Sequence, residues 1–340
     1  LVGSEMCIRD SIYTFLAILT AVILTTACND EWKDEQYEQY VSFKSPVPSG
    51  GEGVTDIYVR YKPNGKVTYQ LPVIISGSTQ NLQDVDVHIA LSDTLETLNW
   101  ERFSTRTDLY YKELESNKYD FSKTVHIPAG SNVGLLDINF TLDDLDMADK
   151  WVLPLTIAND ESYKRHPRKN YATALLRVIP FNDYSGSYST DAMEVYIKDA
   201  TGAIEKKPMT TPKRTAYVVD NNTVFFYAGL IGEELRKEVR EIYKINVTFN
   251  NEDNSLHVEA ANKEQIDFNL ISVSAFSDTS TMDATRPYLK RKFISFDIEY
   301  EFNDVTSTQG VKIPYKVKGT MTLQRNINTQ IPDEDQQIEW

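Results

Sequence analysis

Two cysteines in 340 residues are too few for a disulfide framework. Cys7 lies in an opening stretch unlike the rest of the chain, and Cys28 follows an apolar run, so no pair is left to staple a core and no thiol is left for catalysis. Histidine is also sparse. His88, His126, His166 and His257 stand far apart with no HxH or HxxxH pairing, which speaks against a zinc site. There is no GxSxG, no glycine-rich phosphate loop and no calcium-loop pattern. Glycine (14) and proline (13) are modest in number, so low-complexity and collagen-like classes are excluded. Positive charge is in deficit: 35 Lys and Arg against 50 Asp and Glu leave a net charge of −15. That balance opposes binding to nucleic acid or to an anionic bilayer through a basic face.

What is present begins with the apolar run 12–24, then Thr25, Thr26, Ala27 and Cys28. Such a run is shorter than the roughly 20 residues a membrane-crossing helix needs, and it reads as the core of a signal peptide. Small residues leading into a cysteine, followed by Asn29, Asp30 and Glu31, match a bacterial lipoprotein signal in which Cys28 becomes the acylated first residue. Two or more acyl chains suffice for stable anchoring. A chance cysteine beside an ordinary cleavage site, or the edge of a buried helix, are the other readings. Residues 1–11 (LVGSEMCIRDS) carry two acids where a signal peptide needs Lys or Arg, and read as a translated sequencing-adapter artefact. The leader is thus 1–27, of which 12–27 are signal. Residues 28–40 form the acylated cysteine and an acidic tether, either a solvated linker or an export address for the outer face of the outer membrane.

The rest reads as strands. With 20 Tyr and 14 Phe, the composition suits an antiparallel β protein. Residues 53–61 (GVTDIYVRY), 66–76 (KVTYQLPVIIS) and 84–92 (DVDVHIALS) alternate or run apolar; in the last, Val85, Val87, Ile89 and Leu91 share a face. A break at 93–116 has room for a short helical turn, and strands resume at 123–127, 132–142, 150–158 and 170–179. Short strands spaced by turns over 41–180 predict an immunoglobulin-like sandwich, with Trp151 a core tryptophan. A second strand series fills 181–340: 188–198, 214–219, 223–228, 243–250, 256–260, 292–302 and 311–325, with a hairpin turn at 250–254. Residues 232–243 are a helical candidate in which Glu233 and Lys237 would pair, an irregular connection being the alternative. In 292–302, Phe296, Ile298, Tyr300 and Phe302 alternate with Ser295, Asp297, Glu299 and Glu301, giving one aromatic face expected to be core and one acidic face.

IPAG at 127–130, an apolar strand, and WVLPLTIAND at 151–160 resemble the immunoglobulin-like N-terminal domain of unknown function of surface lipoproteins from Bacteroidetes glycan-utilisation loci, over about 39–180. YSGSY at 184–188 and KGTMTLQRNINTQIPDEDQQIEW at 318–340 resemble the C-terminal domain of unknown function that accompanies it. The resemblance implies a spacer or scaffold followed by an antiparallel calycin-like barrel; a second β-sandwich would give the same strand pattern. It also implies a lipid-anchored outer-membrane protein facing the extracellular side, an accessory glycan-binding component beside an outer-membrane importer.

Endoglycosidases that share the N-terminal domain carry an aspartate-rich strand ending in a catalytic glutamate within a long α/β barrel. Here Asp143, Asp144 and Asp146 lack that glutamate, and the remaining residues are too few for the barrel. No catalytic residue, metal or cofactor is therefore expected, and a hydrolase with an unrecognised carboxylate pair is a weaker alternative. The rival from another class is a non-catalytic adhesive or protein-interaction lipoprotein. Aromatic faces with a few polar groups hold sugars, so aromatics in polar segments are the candidate ligand-binding residues: Trp100 with Tyr110 and Tyr111, and Tyr288 beside Arg286 in the Ser/Thr/Asp-rich stretch 276–292. Mass spectrometry of the membrane-extracted protein should find a chain that starts at Cys28 and carries acyl chains; an unmodified start elsewhere would remove the anchor.

Overall fold

The computed structural model describes residues 37–44, 53–199 and 201–331. Cys28, the apolar run, most of the tether and the end of the 318–340 string lie outside these. The described chain is almost all strand, in two units with separate cores.

The first unit contains β1 (Tyr40–Phe43), β2 (Val54–Arg60), β3 (Lys66–Ser76), β4 (Val85–Leu91), helix α1 (Thr94–Phe103), β5 (Lys112–Glu113), β6 (Tyr119–Phe121), β7 (Thr124–Ile127), β8 (Val133–Thr141), β9 (Trp151–Ile157) and β10 (Thr173–Phe181). One sheet runs β1-β3-β8-β6 and the other β2-β10-β9-β4-β7, with β5 added beside β9. Period-two alternation explains the layering. Leu136, Ile138 and Phe140 of β8 are buried, while Leu135, Asp137 and Asn139 between them face outward. β9 and β10 are buried on nearly every residue, as central strands are. Leu91 does not follow its predicted face: it is exposed, because β7 accompanies β4 only over Val85 to His88. The break at 93–116 holds the ten-residue helix α1 where a single turn was expected.

The second unit contains β11 (Gly186–Ser189), β12 (Glu194–Ile197), β13 (Met209–Thr210), β14 (Lys213–Val218), β15 (Thr223–Tyr227), β16 (Lys244–Phe249), β17 (Leu256–Ala260), β18 (Asn269–Val273), β19 (Ser277–Met282), β20 (Leu289–Asp304) and β21 (Ile313–Asn328). They form one curled antiparallel sheet. Its spine is the ladder of β20 with β21, sixteen residues each, in unbroken register from Leu289↔Asn328 to Asp304↔Ile313. Phe296, Ile298, Tyr300 and Phe302 all point into the core; of the acidic residues between them, Glu299 meets Lys316 at 2.6 Å, Glu301 meets Lys198 at 2.8 Å and Asp297 accepts from the Thr320 hydroxyl at 2.6 Å. The predicted strand 188–198 is two strands, split where the Met193 N–H turns back to Thr190 O at 2.8 Å. The stretch 276–292, read as a loop, is mostly hairpin: β19 pairs with β20 and only 283–288 turn. The helical candidate shrinks to one turn (Lys237–Arg240) and a 3-10 turn (Glu241–Tyr243).

Lys237 does not serve Glu233. It crosses to the first unit, 2.7 Å from Asp149 and 2.9 Å from Asp146, and Lys244 joins at 2.8 Å from Asp146. Buried Arg240 donates to Ala148 O and to the Tyr227 hydroxyl. Met147 packs into the second core and Val218 into the first. Trp151, expected as a core residue of the sandwich, is half-buried and touches both cores, with its Nε1 donating to Asp146 O at 2.8 Å. On the other side of the junction, Arg60 of β2 sits 3.1 Å from Asp183, and Arg325 of β21 donates to the carbonyls of Asn182 and Ser185 at 2.8 and 2.7 Å.

Burial opposes the charge on Asp304, but hydrogen bonds from Ser307, Tyr243 and the Thr306 N–H prevail and hold its carboxyl at about 2. A folded value below the unfolded one, about 3.9, stabilises above pH ~4 and is lost as pH falls toward ~2. Thermal unfolding followed from pH 6 to pH 2 should therefore show a fall in that window that Asp304→Asn diminishes. At Gly319, β21 passes from its pairing with β12 to its pairing with β11, at φ +154, and a Cβ would lie 2.4 Å from Met193 Cα and 2.5 Å from Ala192 O. Backbone cannot swing aside, so Gly319→Ala should destabilise by about 3 kcal/mol in urea titrations.

Candidate functional site

The alternation that buries one face of each strand leaves the other face to build a surface. In β2 the outward set is Asp56, Tyr58 and Arg60. In β3 it is Lys66, Thr68 and Gln70, and in β8 Leu135, Asp137 and Asn139. The register sets Gln70 opposite Asp137, Thr68 opposite Asn139, and Asn139 opposite Asp120 of β6. These residues, with Tyr69 and Tyr119, line a groove of about 1080 Å³. That is the upper end of the range for small-ligand sites, with room for more than one ring.

Its polar groups are ordered. The Thr68 hydroxyl donates to Asn139 Oδ1 at 2.7 Å, and Gln70 Nε2 donates to Asp137 Oδ1 at 2.8 Å. Each bond fixes one end of a planar side chain and turns the other end outward: the Asn139 amide N–H2 as donor, and the second Asp137 oxygen as acceptor. An acceptor and a donor are thus offered two residues apart on one face of β8. Three tyrosines border it: Tyr58 from the outward face of β2, and Tyr69 and Tyr119 from the inward faces of β3 and β6, opposite Ile138 and Phe140 and partly packed on the first core. Tyr58 is half-buried and its hydroxyl is pushed up to about 12, by burial and then by the Asp56 carboxylate, with Arg177 opposing. Burial also raises Tyr69, and raises Tyr119 together with Glu113. All three therefore stay neutral donors at physiological pH. Two of the charges at the groove are paired: Asp56 lies 3.6 Å from Arg177, and Arg60 holds Asp183 while its guanidinium lies 4.9 Å from the Phe181 ring. Lys66, Asp120 and Asp137 add charge to the same lining.

Two smaller cavities accompany it. One of 410 Å³ lies between β4 and β6 and shares Tyr119, which stacks on Phe121 at 5.8 Å. One of 500 Å³ in the second unit is lined by Glu194, Asp297, Glu299 and Lys318. Those side chains are engaged with each other or with Thr320 and Lys316.

None of the five residues singled out from the sequence lines any of these three cavities. Trp100 stands on α1, 61% exposed. Tyr110 donates its hydroxyl to Ser104 O at 2.7 Å. Tyr111 is buried, clamped to Asn99 through its backbone at 2.8 and 2.9 Å, and its hydroxyl accepts from Arg102 at 2.7 Å. Its ring is spent on the small core under α1. Arg286 and Tyr288 belong to the β19–β20 turn, where Arg286 lies 4.0 Å from Asp283 and the Tyr288 carbonyl accepts from the Thr329 N–H at 2.8 Å. The two groups sit in different units and do not form one site. The groove residues were missed because strand tyrosines were assigned to core; the sign that would have found them is the polar company of Tyr58, with Asp56 and Arg60 at period two. Among the described residues no group of three or more His, Cys, Asp or Glu is placed to hold a metal, and no helix is long and apolar enough to cross a membrane.

Comparison with known proteins fits this architecture. The model for the domain of unknown function DUF4973 matches residues 32–161, and a second model, for a C-terminal domain, matches 172–322. A solved structure of unknown function from Bacteroides ovatus is 57% identical, covers 88% of this chain and 100% of its own, and superposes with a TM-score of 0.81. The chain belongs to this family of two-domain Bacteroides proteins. A multidomain protein including DUF1735, also from Bacteroides ovatus, is a further family member at 55% identity, 88% and 100% coverage and TM-score 0.81. An auxiliary nutrient binding protein from Bacteroides thetaiotaomicron is 40% identical, covers 85% of this chain and 96% of its own, and has a TM-score of 0.75. No curated protein matches the chain.

Proposed function

We propose that the protein is an accessory glycan-binding lipoprotein, anchored through Cys28 on the outer face of the outer membrane, where it holds glycan for an importer without cleaving it. The groove on the first unit carries this reading: Tyr58, Tyr69 and Tyr119 border ordered Asn139 and Asp137 groups, and two of its charges, Asp56 and Arg60, are held in ion pairs. A polar, hydroxyl-rich ligand suits such a lining. The name of the relative from Bacteroides thetaiotaomicron points the same way. The adhesive alternative draws on a different surface, the edge of β19 in the second unit.

A glycan array on a protein of residues 30–340 should give a defined set of hits, with affinity measured by calorimetry. Asp137→Ala and Asn139→Ala should each weaken binding about tenfold, the loss of one or two hydrogen bonds, with the melting temperature little changed. Trp100→Ala and Tyr288→Ala should leave it unaltered. Silence across the array, or loss on the second pair and not the first, would overturn the site.

A further inference from the structure

β19 is an edge strand of an unusual kind. All six of its residues, Ser277 to Met282, are exposed, and it pairs with β20 alone, in regular register with no bulge. It contains no proline and no lysine, the devices by which natural edges are blunted. Its one charge, Asp278, is tied to Lys292 at 3.0 Å. The direction of its backbone groups follows from the ladder. The Asp283 N–H donates to Leu289 O at 2.8 Å, and antiparallel pairs alternate, so Thr281, Thr279 and Ser277 bond inward to β20 while Met282, Ser280 and Asp278 point outward. Phe276, next in that outward set, already uses its N–H, donating to Asn254 O at 2.9 Å. Beyond it, among the described residues, nothing bonds the outward groups of Asp278, Ser280 and Met282.

The surroundings select the occupant. Within 276–292, Arg286, Lys290, Arg291 and Lys292 lie in the turn and on the neighbouring strand against Asp278 and Asp283, and Lys292 also acts on Asp183. Asp283 has its side chain 3% exposed and engaged by Arg291 at 2.5 Å, whereas Arg286 is 57% exposed. This corner is positive on a chain of net charge −15. A second copy would bring two positive corners and two acidic bodies together. We infer that β19 is a docking edge for an extended acidic segment of a partner protein, which adds to the sheet as a further antiparallel strand.

This surface is separate from the tyrosine groove, so it can be tested whether or not glycan binds. The probe is a fluorescent peptide of about ten alternating Thr and Glu residues, with a Thr–Lys peptide as its counterpart. The acidic peptide should bind the intact protein saturably, weaken as salt rises, and slow amide exchange at Asp278, Ser280 and Met282, while the Thr–Lys peptide does not bind. Ser280→Pro removes an outward N–H and no ladder bond, a position where edge strands tolerate proline; it should lower affinity at least about tenfold while circular dichroism stays native. Arg286→Glu with Lys290→Glu should weaken binding through charge alone. No binding of the acidic peptide, equal binding of both peptides, or unaltered exchange at those three amides overturns the proposal. So does a concentration-dependent dimer in sedimentation that Ser280→Pro abolishes, which would give the edge to a second copy.

Discussion

Charges buried where the two units meet govern the rest of the molecule. Asp149 and Arg240 are each nearly inaccessible, and an unpaired charge at that depth costs several kcal/mol. Neither finds its main partners within its own unit alone. Asp149 takes Lys237 as well as Lys112, and Arg240 reaches back to the Ala148 carbonyl. Separating the units would strip both, along with Met147 and Val218, each lodged in the other's core. A chain with no disulfide among its described residues thus gains rigidity between modules from desolvated ion pairs, where linkers ordinarily leave domains free to move.

That rigidity reaches the groove. Arg60 stands on β2 with Tyr58 and Asp56, yet its guanidinium lies over Phe181, the last residue of β10, and is held by Asp183 at the start of the second unit. One wall of the groove is accordingly fixed by the junction. On the opposite logic, β19 stands clear of both cores, supported by the long β20–β21 ladder, whose far end is packed with aromatic side chains. The groove is polar and lined by tyrosines and amide groups, and the hairpin corner is positive and offers open backbone. Two surfaces of such different chemistry suit two different classes of ligand.

Much of the architecture was legible from local pattern. Period two in residues 66–76 and 256–260 matches β3 and β17 residue for residue, because a strand half-buried in a sandwich must alternate. The aromatic face of β20 was readable for the same reason. What local pattern could not show was competition between partners. Lys237 is well spaced for Glu233 on a helix, but desolvated Asp149 binds it more strongly. Trp151 sits in an apolar strand, yet its side chain is shared between two cores. Tyr111 lies in a polar segment and is nevertheless buried, since Asn99 on α1, twelve residues earlier, satisfies its backbone. Residues 276–292 lack apolar alternation because both faces of β19 meet water, so periodicity had nothing to register.

The sequence alone determined that this is an all-β, two-unit chain without the residues for a disulfide core, since alternation and composition are local properties. Only the tertiary structure decided which tyrosines border a groove, which lysine bridges the units and which strand keeps an open edge. Those outcomes depend on register between strands distant along the chain, and on which buried charges lie close enough to compensate one another.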